Sequence, residues 1–217
     1  MKSVALISGG IDSFVAAAYE KSKGSILYAL SVDYGQIHKK EIESAEKIGK
    51  FLEVKQHKFI KIDLSWLPSS LIDRNYKPEK KSEIPPTYVP ARNIIFLSLA
   101  LAYAESIDAD SIIIGVHCLD YSGYPDCRPK FIEAFQKVVD TGIKKSVEGG
   151  KIFIRTPLIL MKKSEIIKLG AKLGLDFSIT WSCYKGEDKA CGECDSCKIR
   201  IRAFSEAGLK DPIEYRK

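Results

Sequence analysis

The sequence predicts a doubly wound α/β fold, a mainly parallel sheet with helices on both faces, with a small helical segment built around a metal site at its C-terminal end. Three observations carry that prediction. Short apolar runs alternate with segments of helical period from the start of the chain to residue 174. The run 111–116 is apolar on both alternating faces, as a strand buried between two helix layers must be. Cys183, Cys191, Cys194 and Cys197 follow in the order C-x7-C-x2-C-x2-C, a spacing that suits one tetrahedral ion.

The elements follow in order. Residues 4–7 form a short apolar strand that ends in the turn Ser8-Gly9-Gly10, and 13–21 place Val15, Ala16 and Tyr19 at helical spacing. A strand at 26–32, a charged helix at 38–52 and a strand at 58–62 continue the beat. Residues 65–91 interrupt it with prolines and the charged stretch KPEKKSE, the composition of an exposed loop and a candidate lid. Helix 93–106, strand 111–116, a polar loop, helix 130–147, strand 153–155 and helix 164–174 complete the alternation before the cysteines. The expected organisation is a domain at 1–175 and a metal-binding extension at 176–217 packed on it. Ligands of such sheets bind beyond the carboxyl ends of the strands, which singles out 8–13, 33–38 and 117–129.

Length and composition bound the function classes. A chain of 217 residues that is 45% hydrophobic and 29% charged buries a core without disulfides. Its net charge of +6 suits an anionic ligand, but Lys and Arg are scattered, so a primary nucleic-acid role is not expected. The N-terminal apolar run is too short for a secretory signal and 94–104 too short to cross a bilayer, so a cytoplasmic protein with no membrane partner is expected. In a reducing compartment close cysteines are metal ligands before they are disulfides.

The chemistry begins at Ser8-Gly9-Gly10-Ile11-Asp12-Ser13. Two glycines admit a ligand close to the backbone, and the helix that follows presents unpaired N–H groups and a partial positive charge. Ser8 and Ser13 add hydroxyl donors, while Asp12 is suited to capping the helix, shaping the loop or positioning magnesium, and the sequence leaves these three open. Neither a G-x-x-x-x-G-K-[ST] nor a G-x-G-x-x-G motif is present, which excludes Walker-type ATPases and typical dinucleotide binders. The hexapeptide resembles the loop of the PP-loop ATP pyrophosphatases, whose fold is adenine nucleotide alpha hydrolase-like and which cleave ATP between its α and β phosphates. That resemblance implies ATP contacts from Ile7, Ser8, Gly9, Gly10, Ile11, Asp12, Ser13, Phe14, Val15, Ala16 and Ala17, with Asp33, Tyr34 and Gln36 near adenine and ribose.

Four thiolates leave no open position for a reacting water, so the metal expected at the cysteines is a structural zinc ion. An iron–sulfur cluster is the competing occupant. Cys118, beside a buried strand, reads as a core thiol and Cys127, in the polar loop, as a core or a reactive one. His57 reads as a packing or surface residue, whereas His38 and His117 follow strand ends where a ligand can reach them.

VPARNIIFL at 89–97, DYSGYPDCRP at 120–129, VDYGQIHKKEIE at 32–43 and TPLILMKKSEI at 156–166, taken with the loop and the cysteines, resemble the 7-cyano-7-deazaguanine synthase family. The chain departs from that pattern at Ile11 and His117. The resemblance implies conversion of a carboxyl group on a deazaguanine to a nitrile, with ammonia as nitrogen source and two ATP with magnesium consumed, in a homodimer. Such a reaction needs positioning and charge stabilisation and no protein nucleophile. Asp12, Arg92 and Lys163 are then the expected catalytic residues, Arg92 as a bidentate anion clamp and Lys163 as a point charge on phosphate. Asp120, Tyr121, Tyr124, Asp126 and Arg128 are expected around the substrate base, with Asp126 on its donor edge. Two other classes compete: a tRNA sulfurtransferase with the same loop, and a non-enzymatic zinc module that binds nucleic acid or protein.

Overall fold

The computed structural model describes residues 1–37, 39–78, 83–117, 123–185 and 188–216. Five strands, β1 (Lys2–Leu6), β2 (Ile26–Asp33), β3 (His57–Lys61), β4 (Ser111–Ile113) and β5 (Phe153–Arg155), pair in the order β3-β2-β1-β4-β5. Every pairing is parallel. The order reverses between β1 and β4, which makes their carboxyl ends the topological switch point where open α/β sheets bind ligands.

The two-residue period of the strands sorts their side chains onto two faces. Ala5, Ile7, Leu27, Ala29 and Ile113 meet α1 (Ile11–Ser22), α2 (Lys40–Phe51) and α6 (Lys163–Lys172) on one face, and α7 (Asp195–Ala207) joins the same core through Ala203 and Phe204. Val4, Leu6, Tyr28, Leu30, Ile112 and Ile114 meet α3 (Arg92–Ser106) and α4 (Pro129–Gly142) on the other. Burial on both faces is why these strands read as apolar runs. Polar pairs among them are matched across the sheet: the hydroxyls of Ser3 on β1 and Ser111 on β4 are buried and 2.8 Å apart, and Ser31 Oγ on β2 lies 2.8 Å from His57 Nε2 on β3.

Three expectations are corrected. The strand 111–116 ends at Ile113, and beyond it the chain passes at Gly115 close against the backbone of Asp12 and Ser13. The helix expected at 130–147 breaks at Ile143, where extended backbone (φ −126°, ψ 152°) follows Gly142 and buries the Ile143 side chain, and α5 (Lys144–Val147) resumes beyond it. The candidate lid is in part a packed wall: Leu64, Leu71 and Val89 are buried with Val32 and Tyr34 beyond β2, and the Ile37 N–H donates to the Leu71 carbonyl at 3.1 Å. Trp66 in the same stretch is 74% exposed. No helix among the described residues is long and apolar enough to cross a membrane.

Candidate active site

At the switch point lies a cavity of about 320 Å³, walled by the loop after β1, the ends of β2 and β4, the first turns of α2, α3, α6 and α7, and Leu71 and Thr87 of the long connection. Its floor is the 8–13 turn. The Ser8 N–H donates to Ser13 Oγ at 3.2 Å, and the Ser13 hydroxyl donates to the Gly10 carbonyl at 3.0 Å. Ser13 thus holds the loop's shape. Gly9 adopts φ +87° and a Cβ there would sit 2.2 Å from the Glu41 carbonyl oxygen, so only glycine lets α2 dock on the loop. A Cβ on Gly115 would sit 2.6 Å from the backbone of Asp12, so glycine is equally needed for β4 to run against the start of α1.

Asp12 faces inward from the first turn of α1. Lys163, the first residue of α6, donates from Nζ to both of its carboxylate oxygens, at 2.5 and 2.6 Å, and His117 Nε2 stands 3.7 Å from Oδ2. The pair is half-buried, with Lys163 13% and Asp12 26% exposed, and joins residues 151 apart in sequence at the mouth of the loop.

Opposite stands Arg92, at the start of α3. The preceding Ala91 adopts φ 56°, a left-handed conformation sparsely populated by residues with a Cβ and of a kind that concentrates at functional sites. Arg92 Nη1 donates to the Tyr34 hydroxyl at 3.2 Å, and its guanidinium lies 5.7 Å from the Tyr34 ring centroid. Burial works against its charge, yet Tyr34, Tyr124 and Glu41 together outweigh burial and hold it cationic. Tyr34 itself packs at 5.5 Å on Phe96, and Tyr124 and Tyr184 complete an aromatic wall around Arg92. Glu41 lines the same wall, and burial pushes its carboxyl up to about 7 against the opposing pull of Arg92.

The C-terminal lobe closes the cavity. The Trp181 N–H donates to the Gly9 carbonyl at 2.9 Å, tying the lobe to the phosphate loop. Arg200, 1% exposed, grips Asp211 with Nε and Nη2 at 2.8 and 3.0 Å, and Nη1 reaches Thr180 Oγ1 at 2.8 Å. Ser182, Tyr184, Asp195, Ser196 and Ile199 of this lobe line the cavity. The ligand atoms of Cys183, Cys191, Cys194 and Cys197 all lie within 4.8 Å of one another, a geometry that can hold a metal ion. Backbone N–H groups of Lys185 and Cys191 point at Cys183 Sγ, at 3.3 and 3.2 Å, and those of Glu193 and Cys194 point at Cys191 Sγ, at 3.4 and 3.3 Å. Gly192, at φ +75°, lets the chain curl between two of the ligands.

A family model described as "Queuosine biosynthesis protein QueC" matches residues 2–208. The chain belongs to the QueC family. Among curated relatives, the 7-cyano-7-deazaguanine synthase of Desulfitobacterium hafniense (strain DSM 10664 / DCB-2) is 50% identical over 217 residues, 99% of this chain and 93% of that one. The protein of the same name from Thermoplasma volcanium is 47% identical over 222 residues, 100% of this chain and 91% of that one. Solved structures share the fold at far lower identity. A predicted subunit of tRNA methyltransferase from Methanocaldococcus jannaschii aligns at TM-score 0.51 and 17% identity over 100% of this chain and 93% of that one. The NMN synthetase of Francisella tularensis aligns at 0.50 and 17% over 96% and 77%.

Within this QueC chain the expected site residues divide. Ile7, Ser8, Gly10, Ile11, Asp12, Ser13, Tyr34, Gln36, Arg92, Tyr124 and Lys163 line the cavity. Phe14, Val15, Ala16 and Ala17 do not, because α1 is buried around its whole circumference there and they pack in the core. Gly9 is covered by Glu41, and Asp33 Oδ1 accepts the Gly35 N–H at 3.2 Å, shaping the turn. Asp126 is buried and its Oδ2 accepts the Asn93 N–H at 3.1 Å, which fastens its loop to α3 and leaves it off the cavity wall. Arg128 precedes α4 as its N-cap, also off the wall. Cys127 does line the cavity, but burial, with Asp126 beside it, pushes its thiol up to about 12, so the reactive reading is corrected to a packed thiol. His57 is half-buried and stacks at 4.2 Å on Phe59, and burial lowers it to about 4. Asp120, Tyr121, Cys118 and His38 lie outside the described residues.

Sequence reasoning missed Glu41, Phe96, Tyr184, Asp195 and Ser196 on the wall. Glu41 carried a usable signal, since it stands in a first helical turn just after a strand end. The lobe residues carried none, because only the tertiary fold returns them to the loop.

Proposed function

We propose that this chain converts 7-carboxy-7-deazaguanine and ammonia into 7-cyano-7-deazaguanine with ATP and magnesium, as a cytoplasmic homodimer whose four cysteines hold structural zinc. The observation that carries the reading is a single cavity in which the 8–13 loop and the Asp12–Lys163 pair face Arg92 and an aromatic wall. In this reading residues 1–175 hold nucleotide and substrate, and 176–217 act as a zinc-braced wall.

The loop's N–H groups and the dipole of α1 receive phosphate oxygens. Lys163, oriented by Asp12, neutralises charge near the α phosphate while a substrate carboxylate oxygen attacks it and pyrophosphate leaves. Arg92 clamps the carboxylate, and Tyr34, Phe96, Tyr124 and Tyr184 stack with or border the flat rings. Ammonia displaces AMP to give an amide, and a second round of adenylation on the amide oxygen lets AMP depart with formation of the nitrile. Asp126 acts by fastening the 123–128 loop to α3. Structural zinc fixes the lobe that carries Tyr184, Asp195 and Ser196.

Purified protein incubated with ATP, magnesium, ammonium and 7-carboxy-7-deazaguanine is expected to yield AMP, pyrophosphate and the nitrile by mass spectrometry. AMP formation that requires tRNA and a sulfur donor, or no ATP turnover with either substrate set, rejects the reading.

A further inference from the structure

The amide-forming step releases a proton from nitrogen, which some group in the cavity must receive. Among the described residues three carboxylates line the cavity, on Asp12, Glu41 and Asp195. Asp12 is committed to Lys163 through both oxygens. Asp195 opens α7 directly after the metal-ligating Cys194, on the lobe side. Glu41 alone stands in the first turn of α2, within electrostatic reach of Arg92, the cation that would hold the substrate carboxyl. Its position is set by the phosphate loop itself, since the Glu41 carbonyl occupies the space that a side chain at Gly9 would take.

We propose that Glu41 is the general base of amine transfer, a role that rests on the activity proposed above. As the ammonia lone pair forms the C–N bond to the adenylated carboxyl carbon, the C–O bond to AMP breaks and AMP leaves with that electron pair. The proton released from nitrogen passes to the Glu41 carboxylate and on to solvent. Atoms and charge balance without any further reactant.

The surroundings suit the task. Arg92 from α3, Tyr34 from the turn after β2 and Tyr184 from the C-terminal lobe are the charged and titratable groups that interact with Glu41, and Tyr124 faces Arg92 and Tyr184. Burial raises the Glu41 carboxyl to about 7, and a base poised near the working pH is the most effective proton acceptor.

The test is Glu41→Gln in the intact, metal-loaded protein, with two half-reactions read separately. Isotope exchange between pyrophosphate and ATP, in the presence of 7-carboxy-7-deazaguanine and absence of ammonium, reads adenylation. Amide formation with ammonium, against hydroxamate formation with hydroxylamine, reads amine transfer. Hydroxylamine gives an adduct acidic enough to lose its proton to water, so it bypasses the base. The expected result is exchange and hydroxamate formation within about threefold of the parent, and amide formation down on the order of 10²-fold or more. With the concentration of free ammonia held constant across pH, the acidic limb of the amide-forming rate also disappears, and Glu41→Asp restores part of the rate. Unchanged amide formation, parallel loss of exchange, or equal loss with both amines overturns the assignment. Failure of the parent protein to exchange pyrophosphate rejects the underlying activity instead.

Discussion

The phosphate loop and the cysteine lobe both face one cavity, yet they are built by opposite means. The loop's shape is held by contacts within six residues, a serine hydroxyl on backbone groups, with Gly9 left bare so that α2 can dock on it. The lobe is made of long-range commitments: four thiols gathered around one point and a buried Arg200 joined to Asp211 and Thr180. A site can therefore draw its chemistry from local geometry and its shape from distant crosslinks. Damage to the first should remove activity with little loss of stability, and damage to the second should remove both.

The largest effect expected is on the lobe. If the four cysteines hold zinc as proposed, Cys194→Ser is predicted to strip it and cost more than about 4 kcal/mol, since a structural zinc site contributes on the order of 10 kcal/mol to folding. Metal content and thermal melting check it, and AMP formation should fall with them because Tyr184, Asp195 and Ser196 lose their frame. Asp12→Ala is the counterpart at the loop. AMP formation should drop at least about 10³-fold, ~4 kcal/mol at the transition state, with the melting midpoint within a few degrees of the parent. A large stability loss there would erase the contrast.

Arg200→Ala should cost about 3 kcal/mol in denaturant unfolding, because the Asp211 carboxylate loses its counter-charge and keeps only the Tyr215 hydroxyl and the Ile213 N–H, while no cysteine of the cluster is touched. It separates the metal's contribution from that of the ion pair. Glu41→Gln sharpens the functional side. Folding holds this carboxyl at about 7, above its ordinary 4.5, so the stability it confers is full below pH 4.5 and is lost as pH rises through 7. At pH 8 the Gln variant should be more stable than the parent by about 3 kcal/mol, and at pH 4 the two should melt alike. The smallest effect belongs to Ala91→Gly, which relieves the left-handed backbone before Arg92 and should stabilise the protein by about 1 kcal/mol.

Much of this molecule was legible along the chain. Alternating apolar and helical periods located all five strands within two or three residues of either end, because burial on both faces leaves a continuous apolar trace. The 8–13 turn and the clustering of the four cysteines were legible too, since each is a pattern among near neighbours in sequence. Errors fell where a neighbour far along the chain decided the outcome. β4 stopped short of the close pass of Gly115 against Asp12, Ile143 left its helix for the core, and Asp126 was taken up by Asn93 before it could face the cavity.

What the sequence determined by itself was the parallel α/β architecture, the glycine turn after β1 and a cysteine cluster whose geometry can hold a metal, all written in periods and spacings of a few residues. Only the tertiary structure decided which groups share the cavity. It joined Lys163 to Asp12 across 151 residues, set Glu41 opposite Arg92, and brought the lobe back to Gly9 through Trp181. The physical reason is that a side chain's chemistry depends on the burial and charge around it, and those are supplied by elements that meet only when the sheet has formed.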